Sequence, residues 1–309
     1  MTGLHSNFHN NVGRYLIAAR QAGNSEKTLE QYEWHLERLA RWLSDRGVDD
    51  LGGVTRDLLR EWGAGLWDGW APATIKQGVC ASRAFFRWAH REGIIEADLG
   101  QALTVPRVPR RAQRAMTSAE VQALLGACSD SVKGRRDAAL LSLLVDTGLR
   151  AREICRVEVK DLDLQAKLLI VVVKGGQREF VFFGETTAER LRVWLEMRPA
   201  ADGVRTVFVS VGGLTPGHPL TTRGLRMNLK RLGESAGIRG VTTHAFRRGF
   251  ACIATEAGAP TRMVQLAGRW GDIRMVELYT QSLRQQELYS HGWSPADYVE
   301  NNSGGADGD

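Results

Sequence analysis

Six polar residues between positions 150 and 279 have the types and the order that one kind of phosphoryl transfer requires. They are Arg150 and Glu153 in "TGLRAREI", Lys174 in "VVVKGGQREF", His244 and Arg247 in "HAFRRGFA", and Tyr279 in "MVELYTQ". Taken singly, each has an ordinary explanation, such as a solvated arginine, an i, i+3 ion pair or the charged shoulder of a turn. Together they form a set in which every member has a role.

The reaction that uses this set is attack on a DNA phosphodiester without a metal ion. The pentacoordinate phosphorus gains negative charge on its non-bridging oxygens, and fixed arginines compensate that charge with two donors each. A tyrosine hydroxyl can attack the phosphorus and keep the bond energy in a phosphotyrosyl link. A lysine can protonate the leaving 5′ oxygen, and a histidine can take the proton of the tyrosine.

A tryptophan, Trp270, stands nine positions before Tyr279 in "AGRWGDIRMVELY". Both could be core aromatics of a helical domain, because buried aromatics at helical spacing are common. An indole N–H can also donate a hydrogen bond to a phosphate, but it cannot relay a proton.

These motifs resemble those of the tyrosine recombinases, the phage integrase family that includes lambda integrase, the Xer recombinases and Cre. The chain is Xer-like in its architecture, and it is similar to Cre in having tryptophan where most members have their second histidine. The resemblance implies one catalytic set and one supporting acid: Arg150, Lys174, His244, Arg247, Trp270 and Tyr279, with Glu153 in support. It assigns Trp270 to positioning and leaves proton transfer to His244 and Lys174.

The composition permits a polyanionic partner without requiring one. The 309 residues include 41 Lys and Arg against 35 Asp and Glu, for a net charge of +6. No apolar run is long enough to span a membrane and no hydrophobic leader is present, so we expect a cytoplasmic protein with no membrane partner. The four cysteines stand singly and without metal-ligand spacing, so we expect reduced core cysteines, no metal and no cofactor.

Helical periodicity dominates the first third of the chain. Apolar residues recur three and four positions apart in "SEKTLEQYEWHLERLARWLSDRG", and "TIKQGVCASRAFFRWAHREG" places Phe85, Phe86 and Trp88 toward a core. We expect a bundle of four or five helices over residues 8–102. Two prolines within a basic stretch then predict an interdomain linker over residues 103–115.

A mixed pattern occupies residues 116–284. Thr117 and Glu120 form a capping-box pattern before an apolar helix, and "LLIVVVKGGQREFVFF" predicts a β-hairpin. The resemblance therefore implies a mostly α fold with a small antiparallel β-sheet, namely an N-terminal SAM-like core-binding bundle and an α+β catalytic domain. Residues 285–309 form a tail with a polar end that cannot bury enough apolar surface to order itself.

Three groups of cations are candidates for binding DNA, although a solvated surface explains many of them equally well. They are Lys76, Arg83 and Arg87 on a predicted helix, Arg107, Arg110, Arg111 and Arg114 in the linker, and Arg269 beside Trp270. We expect the two domains to hold duplex DNA between them, with the linker crossing the duplex and a helix in the major groove.

The resemblance implies double-stranded DNA with paired recombination sites as the substrate and a homotetramer on DNA, with strands exchanged through a Holliday junction. It also admits accessory or directionality proteins, and a tail that packs on a neighbouring protomer or on its own domain. Two alternatives stay open: a type IB topoisomerase-like enzyme that uses the same tyrosine chemistry to relax DNA as a monomer, and a DNA-binding regulator that retains the fold without turnover. A pure binder has no need of the tyrosine.

We predict that alanine at the four linker arginines weakens binding to all DNA sequences alike, because phosphate contacts carry no sequence information. The slope of log K against log salt should flatten by roughly one unit per lost contact. Titration of DNA binding at several salt concentrations measures this slope. An unchanged slope would remove the linker from the contact surface.

Overall fold

The chain divides into two compact units between Arg111 and Ala112, within the predicted linker. The computed structural model describes residues 8–107, 114–173, 176–213 and 215–280. These residues are mostly helical with one small antiparallel sheet, which confirms the predicted fold class. In these ranges no helix is long and apolar enough to cross a bilayer.

The described part of the N-terminal unit contains four α-helices. They are α1 (Phe8–Gln21), α2 (Glu26–Ser44), α3 (Arg56–Gly65) and α4 (Pro72–Arg91). Side-chain oxygens of Ser25 and Thr55 accept backbone N–H groups at the starts of α2 and α3, and Pro72 occupies the first turn of α4, where no donor is needed. These local signals fix where the helices begin.

An aromatic cluster forms the centre of this unit. The rings of Phe8 and Phe85 lie 5.2 Å apart, and those of Tyr15 and Trp88 lie 5.5 Å apart. Phe85, Phe86 and Trp88 are all buried, as the spacing in their helix predicts. Such rings contribute large apolar areas and favourable tilted contacts to one core.

The second unit, from Ala112 onward, is the one predicted to be catalytic, and we call it the catalytic unit. Near its start the backbone N–H of Met116 donates to the carbonyl of Ala245. Its described helices are α5 (Ser118–Gly126), α6 (Val132–Thr147), α7 (Ala151–Arg156), α8 (Glu185–Met197), α9 (Thr222–Ser235), α10 (Thr243–Glu256), α11 (Thr261–Ala267) and α12 (Arg274–Thr280). Helix α6 is buried on almost every side, since α8 and α10 pack against it. It is the scaffold of the unit.

A three-stranded antiparallel sheet covers one side of that core. Strands β1 (Leu162–Asp163), β2 (Leu168–Val172) and β3 (Arg178–Phe182) are ordered β1-β2-β3, and Val172 pairs with Arg178 at the turn end of the hairpin. The predicted hairpin is confirmed. The two residues of β1 have no periodicity of their own from which the sequence could predict a strand.

The prediction that every cysteine is a core residue is wrong for Cys80. All four cysteines are free; Cys155 and Cys252 are buried and Cys128 is half-buried, but Cys80 is exposed on α4. Its neighbours Val79 and Ala81 already point into the core, so the helix turns Cys80 toward solvent.

We predict that Thr117→Ala destabilises the catalytic unit by roughly 1 kcal/mol. The Thr117 hydroxyl accepts the N–H of Glu120 at 3.2 Å, while the Glu120 carboxylate accepts the N–H of Thr117 at 3.1 Å. Urea denaturation, with hydrogen exchange of the first turn of α5, measures the loss. Thr117→Ser keeps the cap and should be close to wild type, whereas equal losses in both variants would rule out the hydroxyl as the cause.

Candidate active site

Arg150 is placed by a tight turn between α6 and α7. Gly148 ends α6 in the left-handed conformation with φ 57°, which a residue without a side chain adopts readily. Arg150 then precedes α7, and Glu153 accepts its backbone N–H at 2.8 Å and its Nη1 at 2.7 Å. The guanidinium of Arg150 remains 47% exposed, so it is accessible to a ligand.

Glu153 is a buried carboxylate shared by two arginines. Its Oε1 accepts Arg150, and its Oε2 also accepts Nη2 of Arg269 at 3.1 Å. Burial by itself would raise the pKa of Glu153, but the hydrogen bonds from Arg150 and the charges of Arg269 and Arg150 outweigh it and lower that pKa below its ordinary value. Glu153 is therefore ionised at neutral pH.

The side chain of Arg247 joins two loops in the interior of the unit. It is 5% exposed, and it donates from Nη1 to the carbonyl of Gly148 at 2.7 Å and from Nη2 to the carbonyl of Gly268. Burial, followed by the charges of Arg150 and Arg269, lowers the pKa of Arg247 to about 10. Arg247 is still charged at neutral pH, and its field adds to that of Arg150.

Trp270 connects this arginine to the tyrosine. The buried indole lies with its centroid 4.5 Å from Cζ of Arg247 and 5.7 Å from the ring of Tyr279, in an edge-to-face arrangement. A Cβ on Gly268 would lie 1.9 Å from Cζ3 of Trp270, so only glycine leaves room for the ring there. Phe250 stacks on Trp270 with the ring centroids 6.0 Å apart.

Tyr279 lies near the end of α12 and is half-buried. Its backbone carbonyl accepts the thiol of Cys252 at 3.1 Å, and Cζ of Arg248 lies 5.8 Å from the centre of its ring. Helix α12 packs on α10 and α11 through the buried Val276. The tyrosine is thus held against the helix that carries His244 and Arg247.

His244 lies in the first turn of α10, where Thr242 caps the helix by accepting the N–H of Ala245 at 3.1 Å. Partial desolvation, together with the positive charges of Arg248, Arg247 and Arg150, lowers the pKa of His244 below its ordinary value. The imidazole of His244 is therefore neutral at pH 7 and able to accept a proton.

The structure brings Arg150, Glu153, Arg247, Trp270 and Tyr279 into one connected cluster, with His244 on the same helix as Arg247. Of the remaining predicted residues, three lie outside the described ones: Lys174, Arg110 and Arg111. The strands on either side of Lys174 in the sequence, β2 and β3, are described.

The candidate DNA-binding cations differ in how accessible they are. Lys76, Arg87 and Arg107 are exposed. Arg83 donates to the carbonyl of Leu103 at 3.2 Å and thus packs against its own unit. Arg114 pairs with Glu120 at 2.7 Å. Contacts of these side chains with DNA stay predictions.

Arg269 is not the solvated loop residue that the sequence offered as one explanation. Its side chain is 8% exposed and pairs with Glu153, and its Nε lies 3.5 Å from Oε2 of Glu179 on β3. No local pattern in the sequence places an arginine from this loop beside both α7 and the sheet. The burial of its side chain shows that the solvated alternative was wrong. The phosphate contact stays a prediction.

Two supporting residues were missed from the sequence. Gln265 accepts the N–H of Trp270 on its backbone carbonyl at 3.1 Å and donates its Nε2 to the carbonyl of Trp270 at 2.9 Å, which fixes the loop. Glu179 occupies the same face of β3 as the buried Val181. A charged residue in line with core positions is a signal for a buried partner, and the sequence shows it.

Comparison with known proteins identifies the family. The Phage integrase family matches residues 114–286, and the Phage integrase, N-terminal SAM-like domain matches residues 13–93. The chain therefore belongs to the phage integrase family, whose members are the tyrosine recombinases, as its motifs predicted.

Curated relatives carry the same class of name. Tyrosine recombinase XerC of Corynebacterium efficiens is 28% identical over 278 residues, covering 89% of this chain and 86% of the relative. Tyrosine recombinase XerC of Pseudomonas putida strain W619 is 30% identical over 261 residues, covering 83% and 85%. The protein is accordingly a tyrosine recombinase with Xer-like architecture.

Solved structures share the fold. A lambda integrase dimer bound to a COC′ core site has a TM-score of 0.73 at 20% identity, covering 90% of this chain and 79% of that one. A post-cleavage complex of XerH with palindromic difH has a TM-score of 0.72 at 18% identity, covering 91% and 83%. A lambda integrase tetramer bound to a Holliday junction has a TM-score of 0.73 at 20% identity, covering 92% and 80%.

We predict that His244 in the DNA-free protein titrates below about pH 6.5, the ordinary midpoint of a histidine. Arg248→Ala should shift the midpoint upward, because it removes a positive charge that opposes protonation of the ring. NMR titration measures both midpoints, with His244→Asn to assign the signal. Arg192→Ala removes the same charge from an exposed position on α8 and should leave the midpoint unchanged; equal shifts would contradict a local effect.

Proposed function

We propose that this recombinase breaks and rejoins DNA strands through a covalent 3′-phosphotyrosyl intermediate on Tyr279. Two series of contacts carry the proposal. One runs from Arg150 through Glu153 to Arg269, in the loop of Trp270. The other runs from Arg247 through Trp270 to Tyr279. Together they place a nucleophile beside a cluster of fixed cations, as attack on a phosphodiester requires.

In the proposed step, the Tyr279 hydroxyl oxygen bonds to the scissile phosphorus and the bond from phosphorus to the 5′ oxygen breaks. The phenolic proton passes to the neutral imidazole of His244, and the leaving 5′ oxygen takes a proton from Lys174. The reverse step, in which a 5′ hydroxyl attacks the phosphotyrosyl bond, rejoins the strand. No ATP is needed, because one ester replaces another.

The two arginines have different roles in this proposal. Arg150 is the more accessible and is oriented by Glu153, so it binds a non-bridging phosphate oxygen directly. Arg247 already uses two donors on the carbonyls of Gly148 and Gly268, so its contribution is its fixed charge together with its remaining donors. The pKa of Arg247 is lowered in part by repulsion from Arg150, and an anion bound between them would relieve that repulsion.

Trp270 supports the nucleophile without exchanging protons. Its ring packs edge-to-face on Tyr279 and stacks on Phe250, which limits the positions that the tyrosine ring can take. An indole N–H donates but does not accept. Proton transfer at the tyrosine therefore belongs to His244, whose pKa is suited to a base at neutral pH.

The proposed partner is double-stranded DNA carrying paired recombination sites, bound by a homotetramer that exchanges strands through a Holliday junction. The likeness to a lambda integrase tetramer on such a junction supports this assembly. Both units take part in binding, the N-terminal unit through exposed cations such as Lys76 and Arg87. Accessory or directionality proteins remain an expectation of the family resemblance.

We predict that Tyr279→Phe abolishes covalent adduct formation while leaving DNA binding within about threefold of wild type, because only the nucleophilic oxygen is lost. Purified wild type and variant are incubated with nicked suicide duplexes from a site library in EDTA, and the adduct is detected on a denaturing gel. The trapped DNA also identifies the site.

Tyr289→Phe is the matched control, because it removes the hydroxyl of the next tyrosine along the chain. It should form adduct at the wild-type rate. Absence of adduct with wild type on DNA that it demonstrably binds would contradict the proposal and favour a non-catalytic DNA-binding protein. Adduct formation with relaxation of DNA by a monomer, without paired sites, would favour the topoisomerase-like alternative.

A further inference from the structure

Arg269 has a backbone conformation that is unusual for a residue with a side chain. Its φ is 56°, in the left-handed region, where a Cβ is disfavoured and glycine is the common residue. Among the described residues, Lys167 is the other non-glycine residue with positive φ. A non-glycine residue is retained in this region when its side chain makes contacts that a functional site requires.

The side chain of Arg269 makes such contacts. It extends into the interior, is 8% exposed, and places Nη2 3.1 Å from Oε2 of Glu153. Its Nε faces Oε2 of Glu179 at 3.5 Å, and within the described part of the chain neither of these two atoms has a hydrogen-bond partner. A guanidinium is the side chain that can address two carboxylates from one position, because its donors form a rigid fork.

Glu153 depends on this contact for its orientation. Three donors hold its carboxylate: Nη1 of Arg150 on Oε1, and the backbone N–H of Arg150 together with Nη2 of Arg269 on Oε2. Without Arg269, both carboxylate oxygens of Glu153 would be held by Arg150 alone, the residue that directly precedes the six-residue helix α7. The carboxylate could then rotate, and the half-exposed guanidinium of Arg150 would rotate with it.

The second carboxylate connects Arg269 to the hairpin. Glu179 pairs with Val171 in the β2–β3 ladder, and in the sequence it lies five positions after Lys174. Arg269 is also the residue directly before Trp270. The Arg269 side chain therefore contacts both Glu153 on α7 and Glu179 on the hairpin. No other described side chain pairs with both of these carboxylates.

We propose that Arg269 is a positioning residue for strand cleavage, fixing the Arg150 guanidinium through the Glu153 carboxylate. This inference rests on the proposed function for its consequence in catalysis, and on the contacts above for its effect on Arg150. Arg269 does not touch the scissile phosphate in this role. This positioning role is proposed in place of the direct phosphate contact that the sequence analysis gave as one explanation for Arg269.

The first test compares Arg269→Gly and Arg269→Lys with wild type. Glycine suits the left-handed backbone, so the variant should fold with a melting temperature close to that of wild type. Single-turnover cleavage of a nicked suicide duplex at saturating protein should slow at least about tenfold, with DNA affinity within about threefold. Arg269→Lys keeps the positive charge but loses the forked donors of the guanidinium. Its cleavage rate should therefore lie between those of wild type and Arg269→Gly.

A double-mutant cycle tests whether Arg269 acts through Glu153. Arg269→Gly in a Glu153→Gln background should slow cleavage by less than about threefold beyond Glu153→Gln alone, because the connection is already broken. Multiplicative effects of the two changes would overturn the inference. Arg192→Ala, an exposed arginine of α8 paired with Glu189, controls for loss of one positive charge and should cleave at the wild-type rate.

A measurement without catalysis separates this inference from the proposed function. The order parameter of the Arg150 Nε–Hε group in the DNA-free protein should fall below about 0.6 in Arg269→Gly while remaining higher in wild type and in Arg192→Ala. Unchanged order of Arg150 would overturn the positioning role, even if wild type forms no adduct. Adduct formation by wild type with undiminished cleavage by Arg269→Gly would overturn the inference and leave the proposed function standing.

Discussion

The catalytic unit depends on the buried guanidinium of Arg247. Its two hydrogen bonds, to the carbonyls of Gly148 and Gly268, join the turn that precedes Arg150 to the loop that precedes Trp270. A charged group in the protein interior is tolerated only when its donors are satisfied, so these carbonyls must stay where they are. One side chain therefore links both loops directly.

Charge balance explains why the cluster suits an anionic ligand. Arg150 and Arg269 pair with the carboxylate of Glu153, and the positive charges of both contribute to the lowered pKa of Arg247. Glu153 neutralises one charge and Glu179 approaches the cluster from the sheet at 3.5 Å. A phosphodiester bound near Arg150 would supply the further negative charge, and the fixed positions of the cations would lower the cost of reorganisation during reaction.

The aromatic residues of the site pack against one another and so limit the positions of the tyrosine ring. Phe250, Trp270 and Tyr279 form a row from α10 to α12, and the row is possible because Gly268 has no side chain to collide with the indole. Tryptophan at this position cannot relay a proton as a histidine could, but its ring offers a larger packing surface. Proton transfer at the tyrosine is assigned in the proposed reaction to His244, whose pKa is lowered by burial and by the charges of neighbouring arginines.

The sequence by itself determined the fold class, the helices with strong periodicity and caps, and the β2–β3 hairpin. It also predicted the residue types of the proposed site. These features depend on local spacing, and helix α5 with its capping box at Thr117 is an example. Local patterns could not show that Cys80 faces solvent.

The tertiary structure alone decided which side chains meet. Arg247 reaches Gly148 across 99 positions of the chain, and Arg269 reaches Glu153 across 116, so no local pattern records either contact. The burial of Arg269 likewise follows from where α7, β3 and the loop after α11 come together. Long-range contacts of this kind are set by the packing of whole elements around α6, which is why the sequence predicted the members of the site but not the connections among them.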